Sequence, residues 1–266
     1  MQEIFIHKNN MPEAFHEALI ALEEQGEILD CSDWGTRQKE ISVTMVIDDP
    51  LSEPMISRCS MGGPHELEQY KEETIDGILD FKAYDGTEEH TYHQLMADYI
   101  GVDKNNNIVS LDQIQFVINE LKRNPSTRRA IIDIRNNIRD AETTNPSCLI
   151  FIQYFIRDGK LESKVHFRSN DACKAAFMDM FAFMSLQKYI ADQLDIPMGA
   201  YVHRANSFHS YERDWDLLKS YVKRIKDLRE GKHVPKVTAN YVGDWEDKML
   251  AEKPKIAKVM EDLRNR

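Results

Sequence analysis

The sequence lacks any long apolar run: no stretch approaches the roughly 18 consecutive apolar residues of a bilayer-spanning helix. Its first residues, MQEIFIHKNNMPEAF, have no basic start followed by an apolar segment and a small-residue cleavage site. No secretory leader is therefore expected, and the protein should be cytoplasmic, with no membrane contact. Basic charge is also short. Against 34 Lys and Arg stand 45 Asp and Glu, a net charge of −11, whereas a nucleic-acid surface shows the opposite balance. A chain this acidic binds a phosphate only by gathering a few arginines in one place. Cysteine is scarce: Cys31, Cys59, Cys148 and Cys173 form no CxxC pair and have no histidine at zinc spacing. Neither a disulfide framework nor a metal site is expected, and the thiols should be free in a reducing cytosol.

What is present reads as one α+β catalytic domain over residues 1–266, since no repeat or low-complexity segment divides it. Phe15, Ala18, Leu19 and Leu22 recur at helical spacing and stop at Gly26. Glu40 to Ile47 is β-branched and predicts a strand. The acidic stretch His65 to Ile78 predicts a helix, and residues 79–107 a loop-rich excursion. Leu111 to Lys122 has helical periodicity, and Ala130 to Ile134 predicts a short strand. Leu149 to Ile156 and Leu161 to Phe167 predict two strands joined by the turn Arg157-Asp158-Gly159-Lys160. Met178 to Leu194 is apolar on most sides and predicts a long buried helix. A strand over Tyr201 to Asn206 and an amphipathic helix over Asp214 to Arg229 follow. The expected architecture is a mixed or antiparallel sheet packed on that helix.

Cys148 directly precedes a predicted strand, and Arg168 stands at the far end of the same hairpin. Pairing of the two strands brings the guanidinium to the thiol, where it favours thiolate. Arg168 and Ser169 could also hold a phosphate, and Arg128-Arg129 suit a bidentate grip on one. Each residue also has a plainer reading: a buried structural thiol, surface arginines, a solvated helical Glu66, a turn-capping Asp171, a hydrogen-bonded His209–Tyr211 pair.

Taken together and in order, these segments resemble the thymidylate synthase and deoxycytidylate hydroxymethylase family. The matching stretches are HELEQY with Glu66, PSTRRA with Arg128 and Arg129, PSC with Cys148, QYFIRDGKL, FRSND, Asp179, and SFHSY with His209 and Tyr211. The resemblance spans residues 60–215 and is strongest from Pro125 to Tyr211. It implies a sheet-mediated homodimer and a thiolate, Cys148, that attacks C6 of a pyrimidine so that C5 can capture one carbon from 5,10-methylenetetrahydrofolate. Arg168, Ser169 and the partner-contributed Arg128 and Arg129 would hold the 5′-phosphate, with Arg37 the nearest candidate for a further phosphate arginine. Glu66 would order water, Tyr92 would match the active-site tyrosine, His209 and Tyr211 would meet the sugar, and Asp171 the pterin.

Asp179 is the most informative departure. Thymidylate synthases resemble this chain here except for an asparagine, which suits uracil. A carboxylic acid donates to cytosine N3 and accepts from its N4 amino group. Burial beside Phe177 and Met178 would raise its pKa, although an aspartate before a long helix can also be an N-cap. ELEQYKEET replaces the tryptophan-rich wall of the synthases, and the chain ends MEDLRNR without their apolar closing residues. Both features favour water over hydride as the acceptor step, hence a hydroxymethyl product on dCMP or CMP. A methyl product on dCMP or dUMP, and a non-catalytic nucleotide-binding relative, are the alternatives. Other departures are Lys174 in ACKAAFMD and Asn206-Ser207 before the His-x-Tyr.

Overall fold

Alternating apolar and polar side chains in both halves of the chain build one large sheet, and helical segments cover one of its faces. The computed structural model describes residues 1–57, 59–232 and 245–265. In chain order the elements are β1 (Glu3–Lys8), α1 (Met11–Gln25), β2 (Glu27–Cys31), β3 (Thr36–Ile47), α2 (Pro64–Ile75), α3 (Asp80–Tyr84) and α4 (Tyr92–Ala97). Then come β4 (Tyr99–Val102), β5 (Ile108–Leu111), α5 (Gln113–Arg123), β6 (Ile131–Asp133), α6 (Asn137–Asp140), β7 (Leu149–Arg157) and β8 (Lys160–Phe167). The last are β9 (Asn170–Asp171), α7 (Ala176–Leu194), β10 (Met198–Tyr211), α8 (Trp215–Arg229) and α9 (Trp245–Arg264).

The main sheet runs β1-β3-β10-β8-β7-β6, with β2 added on β3 and β9 on β10. It is mixed: β1 is parallel to β3 and β8 to β10, while β3 and β10 are antiparallel. The hairpin β7–β8 turns on Asp158 (φ 49°) and Gly159 (φ 72°), the left-handed pair that matches the twist of the flanking strands. Residues 79–107 are more ordered than their polarity suggests, holding α3, α4 and the β4–β5 hairpin, which closes with Ile108–Leu111. These elements are only four to six residues long, too short to show a period. β3 and β10 also extend well past their predicted ends.

Helix α1 starts where the Asn10 side chain accepts from the Glu13 N–H (3.0 Å), and it ends at Gly26, whose backbone turns extended while its N–H still donates to the Leu22 carbonyl (3.0 Å), an approach too close for any Cβ. Helix α7 buries Phe177, Met180, Phe181, Phe183, Met184, Leu186 and Ile190. Its one deeply buried amide, Gln187, ties it to the sheet. Gln187 accepts from Ser163 Oγ (2.7 Å), and its Nε2 donates to the Leu161 carbonyl (2.7 Å) and points at those of Gly199 and Ala200 (3.3 Å each). These carbonyls lie where β8 and β10 begin their parallel pairing. No helix among the described residues is long and apolar enough to cross a membrane.

Replacing Gln187 with leucine keeps the volume but strands Ser163 and the carbonyls. Gln187→Leu should destabilise the fold by about 1–3 kcal/mol in urea denaturation; an unchanged midpoint would show that the clamp is dispensable.

Candidate active site

The β7–β8 hairpin brings together the two residues at its open end. Leu149 pairs with Phe167, and the Arg168 N–H donates to the Cys148 carbonyl at 2.8 Å. The Arg168 guanidinium then reaches along the loop, Nε to the Ser147 carbonyl (3.0 Å) and Nη2 to that of Pro146 (2.6 Å). Arg135, just beyond β6, points Nη1 at the same Ser147 carbonyl from 3.5 Å. Two cations thus brace the segment that carries the thiol.

Cys148 itself is half-buried. Burial pushes its pKa up, and the Asp179 and Asp171 carboxyls push the same way, while Arg168 and Arg135 pull it down. Burial wins. The guanidinium acts in the expected direction, but the resting group is a thiol rather than a thiolate.

Asp179 lies in the first turn of α7, 3% exposed, and is not its N-cap, which is Ala175. Tyr70 on α2 donates to Oδ1 (2.6 Å) and Asn170 Nδ2 to Oδ2 (2.7 Å). Behind Asn170, His203 Nε2 meets Asn170 Oδ1 at 2.9 Å, and Tyr201 Oη meets His203 Nδ1 at 3.1 Å. Burial raises the Asp179 carboxyl to about 7, against the lowering influence of its two donors. Burial, followed by the nearby His166, drives His203 down to about 3, so its imidazole is neutral.

The other candidates fall into three groups. Ser169 Oγ lies 3.4 Å from His209 Nδ1, and the His209 and Tyr211 rings pack edge to face at 4.8 Å. His209 Nδ1 is also 3.3 Å from the Ser207 carbonyl, an acceptor only, so Nδ1 carries the proton and Nε2 is a bare acceptor. That Nε2 is buried with no hydrogen-bond partner among the described residues. Asp171 accepts from the Cys173 and Lys174 N–H groups through Oδ1 (3.0 and 3.1 Å), while Oδ2 has no hydrogen bond among the described residues. Tyr92, on α4, packs on Phe183 (5.6 Å). Its hydroxyl is driven up by burial and then by Asp179 and Cys148.

Glu66 is exposed and accepts from the Gly63 N–H (2.8 Å), capping its own helix; no hydrogen bond links it to Cys148 or Asp179. Gly62 lies between it and Met178, since a Cβ there would stand 3.5 Å from Glu66 and 3.6 Å from Met178. Arg128 and Arg129 do not open a strand: β6 begins at Ile131, and both side chains are exposed. Arg37 is held by the Glu212 carboxylate through Nε (3.1 Å) and Nη2 and lies over the Trp215 ring (5.4 Å). It shares the rim near Tyr211 but is not directed at Arg168. Among the described residues no cluster of His, Cys, Asp and Glu forms a metal site.

Sequence reasoning missed Tyr70, Asn170, His203 and Arg135. Asn170 stands inside FRSND and could have been questioned there; the others carry no local signal. A carboxyl that titrates at about 7 when folded and near 3.8 when exposed takes up a proton on folding. The stability this contributes is fully present below the lower value and is lost as pH rises through the higher one. Asp179→Asn has no such proton. It should gain on the parent protein between about pH 4 and about pH 8, by on the order of 4 kcal/mol. Urea denaturation across that range checks this, and a pH-independent difference would show the carboxyl to be already ionised.

Comparison with known proteins shows the family of the chain. The thymidylate synthase family model matches residues 65–251. The Methanocaldococcus jannaschii protein named "Putative thymidylate synthase" is 30% identical over 223 residues, covering 81% of this chain and 95% of that one. "Thymidylate synthase 1" of Bacillus subtilis is 29% identical over 170 residues, 64% of this chain and 56% of that one. The fold is shared with the thermostable thymidylate synthase A structure from Bacillus subtilis, with a TM-score of 0.63, 20% identity, and 81% and 85% of the two chains covered. On the extent of the family match and the near full-length archaeal relative, the chain belongs to the thymidylate synthase family.

Proposed function

We propose that this protein is a pyrimidine nucleotide 5-hydroxymethyltransferase acting on dCMP or CMP with 5,10-methylenetetrahydrofolate, its whole chain forming one catalytic domain. The observation that carries this reading is the buried Asp179 carboxyl, raised to about 7 and supplied with a donor on each oxygen. A group near neutrality can donate to cytosine N3 and accept from its amino group, the reverse of what uracil needs.

In this reading the Cys148 thiol gives up its proton to water as the substrate binds, and the thiolate sulfur adds to C6 of the ring. The C5=C6 electron pair moves through C4 to N3, and Asp179 delivers a proton to N3, so that C5 becomes the nucleophilic carbon of an enamine. The substrate 5′-phosphate lies against Arg168 and Ser169, adding anionic charge near the guanidinium. His209 Nε2, bare and buried, accepts from a sugar hydroxyl, and Tyr211 lines the same side. The folate supplies the one-carbon unit. The unbonded Asp171 Oδ2 suits the N–H groups of a pterin, and Tyr92 closes the wall between Cys148 and Asp179. In this reading Glu66 leaves its cap on the Gly63 N–H to order the water that becomes the product hydroxyl.

Dimerisation through the sheet belongs to the same proposal. The face of the sheet away from α7 carries Val46, Phe151, Phe155 and Val202, each only partly covered. Gln153, on that face, donates to the Arg128 carbonyl at 2.9 Å, so the exposed Arg128-Arg129 pair stands at its rim, ready to reach a neighbouring phosphate.

A second reading, a methyl product on dUMP, is favoured by the names of the relatives. Product mass after incubation with methylenetetrahydrofolate and dCMP, CMP or dUMP separates the two. A hydroxymethyl on a cytosine nucleotide is expected; a methyl on dUMP with dihydrofolate formed would overturn the proposal. Subunit sharing predicts that Arg128→Ala and Cys148→Ser proteins, each inactive, recover activity when mixed under exchange, up to about a quarter of the parent level for random pairing of two chains. No recovery, with dimers exchanging, would place Arg128 on its own subunit's site.

A further inference from the structure

Tyr201 and His203 lie behind Asn170, which donates to Asp179, and the reaction described above gives those two no role. All three are buried, His203 and Tyr201 completely. Buried polar groups on this scale need a reason, and their hydrogen-bond directions supply one.

Two arrangements of the row are conceivable. In one, Tyr201 donates to His203 Nδ1, His203 Nε2–H donates to Asn170 Oδ1, and Asn170 Nδ2 donates to Asp179. In the other every bond is reversed, and the Asn170 carbonyl faces Asp179. Tyr201 decides between them. Its hydroxyl has no other partner among the described residues, at 3.1 Å from His203 Nδ1. Only the first arrangement gives that buried proton an acceptor; the second strands it, at about 1–3 kcal/mol by the ordinary cost of an unmade buried hydrogen bond.

We infer that His203 is a positioning residue: held as the Nε2–H tautomer by Tyr201, it locks Asn170 as an obligatory donor to Asp179 and thereby turns the Asp179 proton outward, toward the substrate. Asn170 cannot accept that proton, because its oxygen is held by His203 (2.9 Å) and its amide group faces Asp179 Oδ2 (2.7 Å). Among the described residues only the Tyr70 hydroxyl could compete, by reversing its bond to Oδ1 (2.6 Å). A flipped Asn170 would instead take the proton on its carbonyl and leave Asp179 presenting acceptors alone, the pattern that recognises uracil N3–H. The row therefore acts on specificity, through the direction of one proton, without touching the nucleotide.

This inference rests on the cytosine reading, and the two are tested apart. Turnover of the cytosine and uracil nucleotides by the parent protein comes first: a preference for uracil overturns the proposed function and this inference with it. Given a cytosine preference, His203→Phe should reduce the cytosine-to-uracil ratio of kcat/KM at least about tenfold, mainly through kcat. His203→Gln, whose amide can still donate to Asn170, should restore most of it. An unchanged ratio in a folded His203→Phe protein would leave the proposed function standing and remove the positioning role. Should His203→Phe not fold, heteronuclear NMR of ring-labelled histidine in the intact parent protein gives the answer, with His203→Gln assigning the signal. The Nε2–H form is expected; an Nδ1–H form overturns the inference.

Discussion

Strand β10 is hydrogen-bonded along both flanks, antiparallel to β3 and parallel to β8, and the rest of the molecule is arranged around that double ladder. A strand held on both sides cannot slip by one residue without turning its core face outward. Tyr201, His203 and Ala205 therefore point inward, beneath the helix that carries Asp179. Between Ala205 and Phe208 the register shifts, and past that irregularity Phe208, His209 and Ser210 are all buried. Such a bulge re-aims the side chains that follow it. The paired start of β10 is fastened to α7 by Gln187, so helix, strand and hairpin form one rigid frame.

That frame determines the electrostatics. The thiol of Cys148 and the carboxyl of Asp179 are both held toward their neutral forms, and in each case burial is the larger influence. The guanidinium of Arg168 lowers the thiol's pKa but does not overcome burial. A resting site without a free buried anion avoids the heavy cost of desolvating one. Charge develops only when a ligand brings partners for it.

How much of this was legible in the sequence follows from the distances along the chain. Cys148 and Arg168 could be paired from a hairpin whose turn announces itself in Asp158-Gly159, and the strand order between them needed nothing further. The helical runs of α1, α5 and α7 were readable because each repeats its pattern over three or more turns. Tyr70 and Asp179 are 109 residues apart, and His203 and Asn170 are 33 apart, so no local periodicity could join them. β1 and β2, with six and five residues, were likewise below the length at which alternation can be told from chance. Arg128 and Arg129 lie before β6, which begins at Ile131, in a turn where the Thr127 N–H donates to the Asn124 carbonyl and the Arg129 N–H to Thr127 Oγ1; such a turn has no period to read.

The irregularity at Ala205–Phe208 divides β10 into two working segments. Upstream, its side chains govern the environment of the Asp179 carboxyl through Asn170; downstream, they lie where Ser169 and His209 meet. Because the bulge absorbs backbone adjustment, residues on one side can be exchanged without disturbing the phase of the other. The surroundings of the Asp179 carboxyl and those of Ser169 and His209 are thereby set by separate segments of a single strand. Ser207 and His209 lie four and six residues past His203, beyond the irregularity, so substitutions there leave the pairing of Tyr201, His203 and Ala205 with β3 and β8 in phase.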